Sequence, residues 1–238
     1  MPNAEMVGRG RVKAKKMKNG LVVSGCPRSG TTLMYMMLRY AVEGSVFALR
    51  ESSASEDSKK MRINKQPRQV FYPSRQMILM IRDPRGIVTS HHAADKFQGA
   101  NKNYYFIGMR SGHSIQNKTV PEYAEAIRAA VADERCTTLV VRYEDLIDLP
   151  DTVQFNIKAR FGLRFRPGAR FSDFWKADHG SYWDVAANGV RPLEPPRDWR
   201  QHPERIGQEF ADPAHRELVE RWQYEVNDGW YQPYSELA

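Results

Sequence analysis

A three-layer α/β domain, with a mostly parallel central sheet flanked by helices, is the fold this sequence predicts, and three observations predict it. From residue 20 onward, short apolar runs alternate with stretches of helical periodicity, the pattern of a parallel sheet. Two of the runs, Met77–Ile81 and Thr138–Arg142, read as strands apolar on both faces, as central strands covered by helices would be. The first run, Leu21–Ser24, passes through a glycine-bounded loop straight into an apolar-periodic segment. That order of strand, turn and helix start is the geometry that holds a phosphate on backbone N–H groups. A chain of 238 residues suits one such domain, with or without a lid.

The elements follow in order. Residues 1–19 form a basic leader: Arg9, Arg11, Lys13, Lys15, Lys16 and Lys18 supply much of the net charge of +8, and the rest of the chain is close to neutral. Such an arm reads as a flexible, solvated leader rather than a nucleic-acid clamp. Residues 20–238 then form the domain. Strands are expected at Leu21–Ser24, Ser45–Leu49, Met61–Asn64, Met77–Ile81 and Thr138–Arg142. Helices are expected at Thr31–Val42, Pro84–Lys96, Val120–Asp133, Thr152–Phe161 and Pro213–Tyr224. In the third of these, Tyr123, Ala126, Ile127, Ala130 and Val131 fall on one face at helical spacing. Two long stretches resist assignment: the polar and aromatic Gly99–Lys118, and Phe165–His202, rich in Pro, Gly, Arg and Trp. Long connections on an α/β scaffold serve binding, so residues 99–118 are read as an acceptor-side lid and 165–202 as a cofactor loop.

The phosphate loop is unusual in its charges. Gly25 and Gly30 stand where the two glycines of a Walker A loop stand, but Thr31 occupies the position of its lysine, and the positive charge sits inside the loop at Arg28. Nucleoside triphosphate chemistry places that lysine on the outer phosphates. A second motif, Arg82-Asp83-Pro84-Arg85-Gly86-Ile87-Val88-Thr89-Ser90, ends a buried strand and opens a helix, with Pro84 suited to the first turn. Its Arg82 and Ser90 can converge on one phosphate, the first with a charged fork and the second with a hydroxyl.

Pro27-Arg28-Ser29-Gly30-Thr31-Thr32 closely resembles the phosphosulfate loop of the sulfotransferases that use 3′-phosphoadenosine 5′-phosphosulfate (PAPS). The Arg82–Ser90 segment resembles the 3′-phosphate motif of the same family, with Gly86 in place of its usual acidic residue. Asn64-Lys65-Gln66-Pro67 is similar to a segment of the protein-tyrosine and related sulfotransferases, whose lysine contacts the oxygen between phosphate and sulfate. Val141-Arg142-Tyr143-Glu144-Asp145-Leu146 and Arg197-Asp198-Trp199-Arg200-Gln201 resemble two further family segments, although the glycine before Asp198 and an Arg-Lys-Gly triplet are missing. The motif style is that of bacterial and tyrosylprotein-type members.

The resemblance implies a P-loop NTPase-like fold, PAPS as donor and 3′-phosphoadenosine 5′-phosphate (PAP) as product, and a metal-independent transfer to a hydroxyl or amine of a small molecule, carbohydrate or peptide. It implies cofactor contacts from Arg28, Ser29, Gly30, Thr31, Thr32, Arg82, Ser90 and Tyr143, with Arg197 or Arg191 replacing the missing triplet. Transfer of SO₃ leaves negative charge on the bridging oxygen, which Arg28 and Lys65 would stabilise. The acceptor must lose a proton; Glu51 is the candidate base, with His91, His92 and His113 behind it. Two competing readings stay open: a kinase-like phosphotransferase of the P-loop type, and a non-catalytic member binding nucleotide or nucleic acid.

Composition bounds the setting. Hydrophobic residues make up 41% and charged residues 27%, ordinary for a globular protein. No apolar run approaches the roughly 18 residues of a membrane span, and the N-terminus does not read as a signal peptide. Two cysteines, Cys26 and Cys136, make no disulfide framework, so a cytoplasmic location is expected. Cys26, although inside the loop, reads as a small filler rather than a nucleophile.

Overall fold

Alternation along the strands sorts their side chains between two separate cores. In the computed structural model, which describes residues 20–44, 46–47, 62–65, 76–90, 106–107, 110–111, 119–177, 192–196 and 198–237, Leu21 and Val23 face one side and Val22 the other. Ile78 and Met80 likewise join the first core, and Met77, Leu79 and Ile81 the second. A sheet with both faces apolar has to be covered twice, which makes the domain three layers deep.

The strands are β1 (Gly20–Gly25), β2 (Val46–Phe47), β3 (Arg62–Lys65), β4 (Gln76–Ile81), β5 (Phe106–Ile107), β6 (Arg110–Ser111) and β7 (Thr137–Arg142). Five form a parallel sheet in the order β2-β3-β1-β4-β7, while β5 and β6 make a small antiparallel pair. Register aligns the carboxyl ends: Lys65 lies opposite Val23, Gly25 opposite Met80, and Arg142 opposite Ile81. The helices are α1 (Thr31–Ala41), α2 (Pro84–Val88), α3 (Val120–Ala132), α4 (Tyr143–Asp148), α5 (Pro150–Phe161), α6 (Pro203–Glu209) and α7 (Pro213–Arg221). Helices α1 and α5 cover one face, with Met34, Met37, Leu38, Val153, Ile157 and Phe161 in its core; α3 and α7 cover the other, with Tyr123, Ile127, Leu218 and Val219. Among the described residues no helix is long and apolar enough to cross a membrane.

The expected α/β class, its parallel sheet and the five strands are all present, and three details differ. Helix α2 ends at Val88 instead of continuing to Lys96. The Thr89 hydroxyl donates back to the Arg85 carbonyl at 2.8 Å, and the Ser90 N–H reaches Ile87 at 3.1 Å, so the last turn tightens and stops. Strand β7 is the outer strand among those described, not a central one, and Val140 on it is 40% exposed. Its apolar run answers to one covered face and one strand neighbour. Within the 165–202 stretch, Phe171–Lys176 forms a 3-10 turn that buries Phe171 and Phe174 against the α1 and α5 layer. Short α4 and α6 escaped the sequence reading, although Pro150 and Pro203 at the first turns of α5 and α6 mark those starts.

Candidate functional site

Sheet order fixes where a ligand can lie. The chain leaves β1 toward β3 and β2 and returns across β1 to β4 and β7, so connections diverge between β1 and β4. Such a reversal opens a crevice beyond the carboxyl ends of the strands. Four neighbouring strands deliver the sequence-predicted residues to that edge: Lys65 ends β3, the Cys26–Gly30 loop follows β1, Arg82 follows β4, and Tyr143 follows β7.

The loop after β1 is a tight turn. The Ser29 N–H donates to the Cys26 carbonyl at 3.1 Å, Pro27 sits at the second position, and Arg28 at the third has φ 69°. This is the pattern of a type II turn, with an arginine where glycine is usual. The Ser29 hydroxyl adds a second bond to the same carbonyl at 2.6 Å, so both Ser29 donors are spent inside the loop. Gly30 then opens α1 at φ 90° with no side-chain cap and no acidic residue in the first turn. The N–H groups of Thr31 and Thr32 therefore begin a helix with its positive dipole end uncompensated by a cap. Cys26 is fully buried, and burial pushes its thiol well above its ordinary range, so it stays protonated.

Three cations meet around this loop. Arg28 Nε donates to Ser90 Oγ at 2.9 Å, and Arg82 Nη1 donates to the Arg28 carbonyl at 3.0 Å. Lys65 Nζ donates to Thr32 Oγ1 at 3.1 Å. Arg28, Ser90, Arg82, Lys65 and Thr32 are thus one cluster, and Tyr143 closes it. The Arg82 guanidinium lies 4.5 Å from the Tyr143 ring centroid, and a Cβ on Gly30 would stand 2.5 Å from that ring. Arg82 is only 9% exposed, no described carboxylate pairs with it, and its Nε meets no acceptor. Gly86 lies against the same nitrogen, where an added Cβ would come to 3.1 Å. Glu51, Arg197, Arg191, His91, His92 and His113 lie outside the described residues, as does most of the 99–118 stretch.

Sequence reasoning missed the residues that grip the Arg82 turn. Asp83 caps α2 by accepting from Arg85 N–H, and its carboxylate takes the Arg85 side chain through a two-pronged pair. Arg85 is 3% exposed on its side chain, bonds Glu225 at 2.6 Å, and lies 4.2 and 4.6 Å from the ring centroids of Trp199 and Trp230. Burial opposes its charge, but the Asp83 and Glu225 carboxylates outweigh it and hold the guanidinium more basic than usual. Glu144 accepts from the Asp83 N–H at 3.2 Å and from the Tyr224 hydroxyl at 2.7 Å. The Asp-Pro-Arg order was a local signal for the cap; partners some 140 positions away leave no local pattern.

No family model and no curated protein matches this chain. Solved structures do. Mouse sulfotransferase SULT7A1 complexed with PAP superposes with a TM-score of 0.50 at 11% identity, covering 86% of this chain and 89% of that one. A sulfotransferase domain from the curacin biosynthetic pathway superposes with a TM-score of 0.45 at 14% identity, covering 76% and 85%. With a parallel five-stranded sheet, a tight loop leading from its central first strand into α1, and the SULT7A1 superposition over most of both chains, this protein has the sulfotransferase fold.

Proposed function

We propose that this chain moves a sulfuryl group from PAPS to a hydroxyl or amine acceptor by in-line displacement, without a metal ion. Arg82 carries the reading. A guanidinium that is nearly buried, with no described carboxylate against it, favours an anion in reach, because a buried charge without a counter-charge is costly. Residues placed around it fit a 3′,5′-substituted nucleotide. Arg82 and Ser90 take the 3′-phosphate, the start of α1 with Gly30, Thr31 and Thr32 takes the phosphosulfate, and Tyr143 flanks the base. Ser29 serves by fixing the loop, and Arg197 is assigned to the 3′-phosphate side.

PAPS supplies the activated sulfuryl group; its sulfur–oxygen bond to phosphate breaks as the bond to the acceptor forms. Arg28 and Lys65 hold positive charge where the bridging oxygen gains negative charge. Glu51 is proposed to remove the acceptor proton. Both cysteines are free thiols, which fits a cytoplasmic setting.

Calorimetry tests the donor. Losing a charge-assisted phosphate contact costs about 1.5–3 kcal/mol, so PAP should bind about 10- to 150-fold more tightly than adenosine 5′-phosphate. Equal affinities, or tighter binding of Mg·ATP than of PAP, would overturn the proposal. Labelled PAPS offered with a panel of phenols, sugars, peptides and amines then identifies the acceptor class.

A further inference from the structure

Five residues close a ring around the turn that carries Arg82. The Asp83 N–H is held by Glu144 at 3.2 Å, and Glu144 is held by the Tyr224 hydroxyl at 2.7 Å. The Asp83 carboxylate is held by Arg85 at 2.8 Å, and Arg85 is held by Glu225 at 2.6 Å. Tyr224 and Glu225 are adjacent in sequence, so two neighbours after α7 grip the backbone and the side chain of one residue. Arg142 reinforces the arrangement: it donates to the Trp222 carbonyl at 2.8 Å, and its guanidinium lies 4.9 Å from the Tyr224 ring centroid.

We propose that Tyr224 and Glu225 are a positioning pair for the anion-binding arm, setting the direction of Arg82 and the entry into the Ser90 turn through Asp83. The pair touches neither donor nor acceptor. Its effect is geometric: Asp83 is the residue between Arg82 and Pro84, and fixing both its N–H and its carboxylate leaves the Arg82 backbone little freedom. A side chain aimed at one phosphate loses affinity when its backbone is free to rotate, because ordering it then falls on binding. The assignment rests on the reading of Arg82 as the 3′-phosphate ligand.

The ratio of PAP affinity to adenosine 5′-phosphate affinity isolates this role, since it reports the 3′-phosphate contact alone. Tyr224→Phe removes one hydrogen bond, and Glu225→Gln strips the charge from the other grip while its amide oxygen can still accept from Arg85; each should lower the ratio by about 3- to 10-fold. Tyr231→Phe is the control. Its hydroxyl bonds the Gly207 carbonyl at 2.7 Å in the same C-terminal region but outside the ring. That variant should lose comparable thermal stability and keep the parent ratio. An unchanged ratio in Tyr224→Phe and Glu225→Gln, or an equal fall in Tyr231→Phe, overturns the positioning role. A parent protein that itself fails to prefer PAP overturns the proposed donor and this inference with it. Should Tyr224→Phe fail to fold, Glu225→Gln, on a side chain 31% exposed, decides alone.

Discussion

Individual side chains divide between those that meet a ligand and those that fix the loop. Lys65 belongs to the first group under the proposed reaction, since its ammonium stands on the Thr32 hydroxyl at the start of α1. Lys65→Ala should reduce kcat by about 10²-fold while changing PAP affinity little, because charge on the bridging oxygen develops only in the transition state. Rapid-quench turnover measured beside PAP calorimetry separates the two quantities. Gly30 belongs to the second group. Gly30→Ala places a Cβ 2.5 Å from the Tyr143 ring at a backbone φ of 90°, whereas Gly162→Ala, at φ 64°, meets nothing within 4 Å. Urea unfolding should show a loss of about 1 kcal/mol for Gly162→Ala, from the left-handed backbone alone, and roughly 2–3 kcal/mol for Gly30→Ala. The clustering of Arg28, Lys65, Arg82 and Ser90 was legible in the sequence because the glycine-bounded loop and the strand-end arginine are local patterns. Asp83, Glu144 and Tyr224 were not, because a carboxylate or phenol in a ring of long-range contacts looks like any other polar residue until the chain is folded.

Elements were legible in proportion to their length and burial. Strands β1 and β4 appeared almost residue for residue, since both faces are buried and only Ser24 and Gln76 interrupt their apolar and glycine positions. Helix α3 appeared from its apolar stripe, and Thr119 and Glu122 form a capping box at its start. Helix α2 was drawn too long because an apolar Ile87-Val88 pair continues a helical pattern that a single hydroxyl terminates. That hydroxyl matters to the site. Thr89→Val removes the bond to the Arg85 carbonyl that closes the turn and directs Ser90 toward Arg28. It should lower stability by about 1 kcal/mol in urea unfolding and weaken PAP binding several-fold in calorimetry. Full retention of PAP affinity would mean that Ser90 holds its place without the Thr89 bond.

At the scale of the whole molecule, the buried protonated groups set the response to alkali. Burial pushes the Tyr35 phenol up to about 12, against the opposing Arg39 charge, and Tyr35 is 1% exposed. Burial and then the Glu144 carboxylate push Tyr224 up as well, and burial raises Cys26. A raised folded-state pKa means the native chain holds its proton more tightly than the unfolded chain. Its stabilising share is complete below the unfolded value and fades as pH climbs toward the folded one. Stability should therefore begin to fall above about pH 9 through Cys26 and more steeply above about 10 through the two phenols. Urea unfolding at intervals from pH 8 to 11.5 checks this. Tyr35→Phe should flatten the part of the slope that starts near pH 10, worth on the order of 2 kcal/mol by pH 12. The class of fold was readable at this scale from alternation alone, whereas the outer position of β7 was not, because an apolar run does not say how many neighbours it has.

The order of strands across the sheet also dictates an order in time. Strand β1 comes first among the described residues and lies in the middle, so during synthesis it waits, unpaired, for β3 and then β4 to leave the ribosome. Parallel pairing of this kind adds the delay of long loops to every contact. The Tyr224–Glu225 grip arrives later still, 140 positions after Arg85. A nascent chain made only as far as β7 already owns every cation of the cluster and the Asp83–Arg85 pair, but not the Tyr224 and Glu225 side chains that steady Glu144 and Arg85. On the proposed reading, a fully positioned anion site is acquired only once the segment after α7 has been made.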